Sequence, residues 1–286
     1  MHILLRRLKK KHVWKRILFE RLCEPIHLNL LTLPVALFGS FRTKVSFDLL
    51  VRQYHAFGLL RAADWAKYCG VKAISAVEFG VANGAGLLNM CEIAKRVTRE
   101  TGVEIAVTGF DTGKGLPEPK DYRDHPEFFR RGDYPMQDQA TLKPLVERAG
   151  GTLILGEVRA SLQGFLGSCQ PVGFISLDVD YYSSSMDCLR ILLDDVSHYL
   201  PWVVVYADDV DGDRHSRFCG ELGALHDFNE QSKYRKITKF NFLRQNRIFQ
   251  RPHWISKMYV AHILDHPFRE QWLQTEGTMV LENPYL

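Results

Sequence analysis

Short, almost continuously apolar runs alternate with longer amphipathic stretches along most of the chain. Such runs are typical of strands in a parallel sheet, because helices cover both faces of that sheet. We predict strands at residues 76–79, 103–110, 152–155, 174–177 and 202–207, and then at 234–241 and 255–264. We predict helices at residues 47–68, 86–99, 139–149, 183–199 and 216–230. This order predicts a doubly wound α/β sheet of seven strands, mostly parallel, with the last strand antiparallel.

The first predicted strand runs directly into a turn that contains Gly80, Gly84 and Gly86. Because glycine has no Cβ, the backbone can turn tightly there and approach a ligand closely. The helix that follows directs its N-terminal amides, and the positive end of its dipole, towards a bound group. A dinucleotide-binding turn has similar glycines, and helix packing alone can also require them.

Glu78 lies two residues before the first of these glycines. Its carboxylate would repel a pyrophosphate and would suit a cationic ligand, such as the amino group of S-adenosylmethionine. The pattern Glu-x-Gly-x-x-x-Gly-x-Gly resembles the first motif of class I methyltransferases. In that family an acidic residue also ends the second strand and binds the ribose, and residues after the third strand surround the adenine. The resemblance implies a Rossmann-like fold that binds S-adenosyl-L-methionine through Glu78, Gly80, Gly84, Gly86, Asp111 and, near the adenine, Glu157.

Four aspartates follow two later strands of the predicted sheet: Asp178 and Asp180 after the fourth, Asp208 and Asp209 after the fifth. The carboxyl ends of neighbouring parallel strands meet at one edge of a sheet, so these side chains are expected to converge there. Oxygen ligands of this kind suit magnesium or another hard divalent cation. In a simpler interpretation, Asp180 caps the following helix and the Asp pair begins a solvated loop.

Three segments, 109–118, 177–185 and 207–209, resemble the macrocin O-methyltransferase family, and the similarity extends over roughly residues 50–265. Members of this family methylate a hydroxyl group, commonly on a deoxysugar, with the help of a divalent metal. The resemblance implies that Asp178, Asp208 and Asp209 bind the metal. Asp180 or Asp178 is then the candidate general base, since a carboxylate within hydrogen-bond reach of the hydroxyl is sufficient.

Other polar residues rank below these aspartates. His215 and His226 lie in a loop-like and an amphipathic context, where a lone histidine is usually at the surface or half-buried. Arg214 and Arg217 are candidates for contacts with an acidic acceptor, but a solvated loop is the favoured explanation of both. Tyr182 is a candidate for lining the acceptor pocket, and packing under the strand end explains it equally well. The polar stretch 112–135 is long for a connection, and long connections in compact enzymes are often lids over the active site.

The chain divides into a basic N-terminal extension at residues 1–45, a methyltransferase domain at 46–265 and a tail at 266–286. Through residue 24 there are eight Lys or Arg against two Glu, whereas the whole chain of 286 residues has a net charge of only +4. The positive charge therefore belongs to the extension and does not indicate nucleic-acid binding by the domain.

Trp14, Ile17, Leu18 and Leu22 recur at helical spacing in the extension, which predicts a basic amphipathic helix. This helix would lie on an anionic membrane surface, or it would dock on the domain or on a partner subunit of a homo-oligomer. The apolar segment 28–38 is too short to span a membrane and contains Pro34.

Six scattered cysteines, with no pair at Cys-x-x-Cys spacing, are typical of reduced thiols and favour a cytoplasmic protein, with the extension allowing peripheral contact with the membrane. We therefore expect an S-adenosylmethionine-dependent, metal-assisted O-methyltransferase whose acceptor is a small molecule or glycan. Two alternatives stay open. A metal-dependent glycosyltransferase would use Asp178 and Asp180, and an inactive methyltransferase-like protein would bind a partner through its extension.

Overall fold

The structure, a computed structural model, describes residue 14, residues 17–273 and residues 282–283. Most of the predicted basic helix and most of the tail lie outside these residues. The strands are β1 Ala73–Phe79, β2 Glu104–Asp111, β3 Gly151–Leu155, β4 Val172–Leu177, β5 Tyr199–Ala207, β6 Arg235–Lys239 and β7 Met258–Ile263. The α-helices are α1 Ile26–Phe38, α2 Phe41–Ser46, α3 Gln53–Tyr68, α4 Ala85–Thr101, α5 Gln139–Arg148, α6 Val158–Leu166, α7 Tyr182–Leu189, α8 Gly220–Gln231 and α9 Phe268–Leu273.

The seven strands form one sheet with the order β3-β2-β1-β4-β5-β7-β6. Strands β1 to β5 pair in parallel, and β7 is antiparallel to both of its neighbours. The predicted α/β architecture, with its last strand antiparallel, is therefore confirmed.

Helices cover both faces of this sheet and bury the central strands. All six residues of β4 are buried, as its apolar sequence predicts. One face packs against the apolar sides of α3 and α4, and the other against α6, α7 and α8. In the described part of the chain, no helix has the length and apolar character needed to cross a membrane.

Two predicted helices differ from the observed ones. The helix predicted at 47–68 begins only at Gln53, because Asp48 and Arg52 adopt positive φ angles of 53° and 50° that a right-handed helix does not allow. The helix predicted at 183–199 ends at Leu189, and two short 3-10 turns lead from there to β5. Helix α6 was not predicted.

The register of the sheet determines where the functional residues meet. Phe79 at the end of β1 lies opposite Leu177 of β4, which in turn lies opposite Ala207 of β5. The residues that follow these three are Gly80, Asp178 and Asp208. They therefore come together at the carboxyl edge of the sheet, beside the point where the strand order reverses between β1 and β4, which is where ligands bind in open α/β sheets.

Candidate active site

Three carboxylates converge at this edge of the sheet. Asp178, Asp208 and Asp209 each offer one oxygen, and these three oxygens lie within 4.8 Å of one another. Burial, followed by repulsion from Asp208, raises the pKa of Asp178 from 3.8 to about 8. Burial and the Asp208 charge likewise raise the pKa of Asp209. Because these groups resist ionisation together, a bound divalent cation would relieve their repulsion, and oxygen donors of this kind fit Mg²⁺.

Glu221 of α8 holds two of these strand ends in place. One of its carboxylate oxygens accepts a hydrogen bond from the amide of Val179 at 2.9 Å, and the other accepts from the amide of Asp209 at 3.0 Å. Its side chain is fully buried, and burial raises its pKa well above the usual range. Glu221 is a positioning residue that sequence reasoning missed. In the sequence, the only indication of this role was that an acidic residue lies beside the apolar positions of an amphipathic helix.

Asp208 is the member of the trio with a cationic neighbour. Lys257, which immediately precedes β7, lies 3.0 Å from its Oδ1 atom, and the hydroxyl of Tyr206 donates to the same oxygen. The ring of Tyr206 stacks on Tyr54 with a centroid distance of 3.8 Å. These contacts keep Asp208 in a fixed orientation.

Asp180 does not cap the following helix, so that interpretation is wrong. Asp124, from the long connection after β2, accepts hydrogen bonds from the Ser183 amide and hydroxyl, both at 2.8 Å, at the start of α7. Asp180 instead has a positive φ of 59° and lies beside Asp209. Burial and the Asp209 charge raise the pKa of Asp180 to about 8.

A cavity of about 430 Å³ joins this acidic cluster to the glycine-rich turn. Gly80, Asp111 and Glu157 line it, together with Asp178, Asp180, Asp208 and Asp209. At Gly80 only glycine fits, because φ is +86° and a Cβ would lie 1.6 Å from the carbonyl oxygen of Asp178. Those of the predicted cofactor and metal residues that reach the wall of the cavity therefore all line the same cavity.

Asp111 braces the turn as well as lining the cavity. Its carboxylate accepts hydrogen bonds from the amides of Val81 at 2.9 Å, Ala82 at 2.8 Å and Gly113 at 2.6 Å. These bonds join the turn after β1 to the end of β2. The shape of this part of the cavity therefore depends on Asp111.

Glu78, Gly84 and Gly86 are not among the residues that line the cavity. The Glu78 side chain points behind the turn, where its Oε1 atom lies 3.8 Å from Nε2 of His55. A Cβ on Gly86 would lie 2.0 Å from that same oxygen, and one on Gly84 would meet the side chain of Leu142 at 2.2 Å. In this structure the two glycines make room for packing against Leu142 and Glu78.

The connection between β2 and α5 lies against the cavity. Thr112, Leu116, Pro117 and Tyr134 of this segment line it. Tyr134 is a candidate acceptor contact that the sequence did not single out. Asp124 fixes the segment to α7. Its role as a lid stays a prediction.

The remaining polar candidates lie outside the cavity. Tyr182 donates a hydrogen bond to Asp227 at 2.8 Å, and Arg214 packs over the ring of Phe128. His215 faces the buried His125 with a ring-centroid distance of 5.8 Å, and burial lowers its pKa. The other two candidates are Arg217, which packs over Phe218, and His226, which is half-buried on α8.

Comparison with known proteins identifies the fold. The structure of CalS11, a calicheamicin methyltransferase, matches with a TM-score of 0.50 and 18% sequence identity, covering 75% of this chain and 82% of CalS11. The chain has a methyltransferase fold. An apo structure of CalS11, described as a TDP-rhamnose 3'-O-methyltransferase, matches over the same shares with 16% identity and a TM-score of 0.44, which adds no further support. No family model matches the sequence, and no curated protein is significantly similar to it. Membership of the macrocin O-methyltransferase family therefore stays a prediction.

Proposed function

We propose that this protein is an S-adenosylmethionine-dependent, divalent-metal-assisted O-methyltransferase that acts on a hydroxyl group of a sugar or glycosylated metabolite. The observation that carries the proposal is the meeting of three carboxylates and a glycine-rich turn in one cavity of a methyltransferase fold. A hydroxyl group is a poor nucleophile at neutral pH, so methyl transfer to it requires a general base or a metal ion that helps to remove its proton. The carboxylates of this cavity can supply the base and can hold the metal.

The cofactor half of the cavity lies between the turn after β1 and the ends of β2 and β3. Gly80 allows close approach to the backbone, and the Asp111 carboxylate stands at the wall where the ribose hydroxyls of S-adenosylmethionine would bind. Glu157, at the start of α6, lines the neighbouring part of the cavity and would lie near the adenine. The methyl group that is transferred comes from this cofactor.

Asp178, Asp208 and Asp209 would hold the divalent cation. Bound there, it would lower the pKa of the acceptor hydroxyl and orient it. Asp180 lines the same cavity and takes the proton from that hydroxyl as general base. Glu221 and Lys257 position the carboxylates, and the segment that contains Tyr134 excludes water from them.

The charge of the cavity favours an acceptor without phosphate groups. Eight carboxylate residues and a single arginine are among the residues that line it: Asp111, Asp133, Glu157, Asp178, Asp180, Asp187, Asp208 and Asp209, with Arg159. Asp178, Asp208 and Asp209 would be neutralised by the cation, and the raised pKa of Asp180 keeps it largely uncharged near pH 7. The other four carboxylates still outnumber the single arginine, and this negative excess would repel the diphosphate of a sugar nucleotide. For this reason we propose a neutral or cationic sugar as the acceptor, and we place the glycosyltransferase interpretation second.

The metal half of the proposal is tested by Asp208→Asn. We expect this variant to lose at least about a hundredfold in methyl transfer to a panel of glycosides, because the metal loses one ligand and the acceptor hydroxyl is no longer polarised. S-adenosylmethionine affinity, measured by calorimetry, should stay within about twofold of the parent.

The matched control is Asp213→Asn, which changes an exposed aspartate of the following loop in the same way. It should keep parental turnover. Equal loss of turnover and cofactor affinity in Asp208→Asn would show that this residue serves the fold or the cofactor and would remove the metal assignment.

A further inference from the structure

Helix α1 is almost entirely apolar, and the described structure leaves it uncovered. None of its thirteen residues is buried. Five of its large apolar side chains are 65–86% exposed: Ile26, Leu30, Leu33, Leu37 and Phe38. Phe19 and Leu22, just before the helix in the sequence, are each 64% exposed as well. Exposed apolar side chains concentrated on one helix in this way indicate a site of interaction, whereas scattered ones would not.

The sequence around α1 indicates what this surface contacts. The helix contains no Asp, Glu, Lys or Arg, and the sixteen residues at the start of the chain contain seven Lys or Arg and no Asp or Glu. An apolar helix next to a dense positive segment matches a bilayer with an anionic surface, where apolar side chains enter the acyl boundary and basic residues meet the headgroups.

The length of α1 limits how it can bind. Thirteen residues of α-helix span about 20 Å, which is shorter than the roughly 30 Å hydrocarbon core of a bilayer. The helix would therefore lie in one leaflet without crossing it. A second copy of the chain is the less favoured partner for this surface, because a dimer would bring two positive segments together. A paired helix would also cover only one side of α1, whereas its apolar side chains are exposed on more than one side.

The junction before α1 is attached to the body of the protein. Arg21 donates hydrogen bonds to the carbonyl oxygens of Phe47 and Asp48 at 2.9 and 2.8 Å. Glu24 accepts from the amides of Gln250 and Arg251, both at 2.6 Å. Arg21 and Glu24 thus fix the segment just before α1 to the rest of the protein. If α1 were embedded in a membrane, it would therefore hold the whole domain at the membrane surface.

Gln250 and Arg251 belong to the connection between β6 and β7, and this connection also reaches the candidate active site. It contacts Glu24 through residues 250 and 251, and Lys257 at its end bonds Asp208. The N-terminal segment therefore joins the body beside the carboxyl edge of the sheet. We propose that residues 1–38 attach this protein peripherally to an anionic membrane surface, with α1 inserted into one leaflet. The proposal is independent of the reaction catalysed.

Sedimentation of the full chain with vesicles tests this proposal. We expect binding to vesicles made of equal parts phosphatidylglycerol and phosphatidylcholine, and at least about tenfold weaker binding to phosphatidylcholine alone. Leu30→Glu/Leu33→Glu should bind the anionic vesicles at least about a hundredfold more weakly, because two charges would enter the acyl boundary. Lys9→Gln/Lys10→Gln/Lys11→Gln should lose roughly a hundredfold through reduced attraction to the headgroups.

Matched controls separate the proposed surface from general effects. Leu193→Glu/Leu264→Glu changes two other exposed leucines, and Lys67→Gln/Lys72→Gln/Lys143→Gln changes three other exposed lysines. Both should bind like the parent, and every variant should keep the parental melting temperature, since none of the changed leucines is buried. Parental binding by Leu30→Glu/Leu33→Glu would overturn the proposal. The proposal would also be overturned if the parental protein stayed in the supernatant. It would be overturned as well if the parent were a dimer that Leu30→Glu/Leu33→Glu converts into monomers, with neither form binding vesicles.

Discussion

At the residue scale, Glu78 occupies an environment that its position in the sequence did not reveal. The side chain is only 3% exposed, and its Oε2 atom has no hydrogen-bond partner among the described residues. Burial is the main cause that raises its pKa from 4.5 to about 8, with Asp178 adding repulsion and Arg52 opposing it. That Glu78 binds the cofactor stays a prediction; in the structure its side chain is buried behind the glycine-rich turn and does not line the cavity.

The raised pKa of Glu78 predicts a pH-dependent stability. Because the folded-state pKa lies above the ordinary value, the stabilisation from this group is fully present below about pH 4.5 and is lost as the pH rises through about 8. Glu78→Gln cannot ionise, so we expect its melting temperature to exceed that of the parent by at least about 3 °C at pH 9 and by less at pH 5.

The control for this comparison is Glu104→Gln, at an exposed position of β2. It should follow the parental melting curve at every pH. If the difference between Glu78→Gln and the parent were the same at pH 5 and pH 9, Glu78 would not be buried in its neutral form. Calorimetric titration of the same variant with S-adenosylmethionine would show whether this side chain also contributes to cofactor binding, as the sequence suggested.

At the element scale, the connection between β2 and α5 is positioned by a buried aspartate. Asp124 is fully buried and accepts hydrogen bonds from Lys120 within the connection and from Ser183 of α7. It thereby provides the helix N-terminus with the acceptor that the simpler interpretation of the sequence assigned to Asp180, and Asp180 lines the cavity instead. One residue of the lid therefore determines the geometry of both the lid and the candidate base.

Asp124→Ala tests this coupling. Its removal leaves the Ser183 amide without its acceptor and releases the lid, so we expect faster tryptic cleavage near Arg130 and Arg131. The KM for the acceptor should rise about tenfold or more, while the affinity for S-adenosylmethionine should change little. Glu118→Gln, an exposed residue of the same connection, is the control. Parental rates of cleavage in Asp124→Ala would show that other contacts hold the lid.

Some elements could be predicted from the sequence because one local rule determines them. The apolar runs of β1, β4 and β5 predicted buried parallel strands, and the register of parallel strands then brought Asp178, Asp208 and Asp209 to one edge. The break before α3 could not be predicted, since it depends on positive φ angles at Asp48 and Arg52, and the sequence has no glycine there to signal them. The role of Glu221 depends on a contact over 42 residues, which no local pattern reveals.

At the scale of the whole molecule, α2 packs against the domain that contains the sheet, although the sequence analysis assigned most of α2 to the extension. Val45 is 2% exposed, and Arg247 donates to the carbonyl oxygens of Val45 and Ser46 and to the Asp48 carboxylate. We propose that the folded unit begins near Ser40, which accepts a hydrogen bond from Thr43 at the start of α2.

Two shortened chains test this boundary. A chain that begins at Ser40 keeps α2, whereas one that begins at Leu49 loses a buried valine and the Asp48 partner of Arg247. We expect the shorter chain to melt at least about 5 °C below the longer one, because Arg247 would stay half-buried without its carboxylate. Equal melting temperatures would place the boundary after α2, as the sequence first suggested.

The central claim is that this cavity binds S-adenosylmethionine and a divalent cation for methyl transfer. The most direct measurement is calorimetric titration of the full chain with S-adenosylmethionine and, separately, with a UDP-sugar, each with and without Mg²⁺. We expect S-adenosylmethionine to bind whether or not the metal is present, and the UDP-sugar to bind in neither case. Metal-dependent binding of the UDP-sugar, with no binding of S-adenosylmethionine, would contradict the claim and assign Asp178 and Asp180 to a glycosyltransferase.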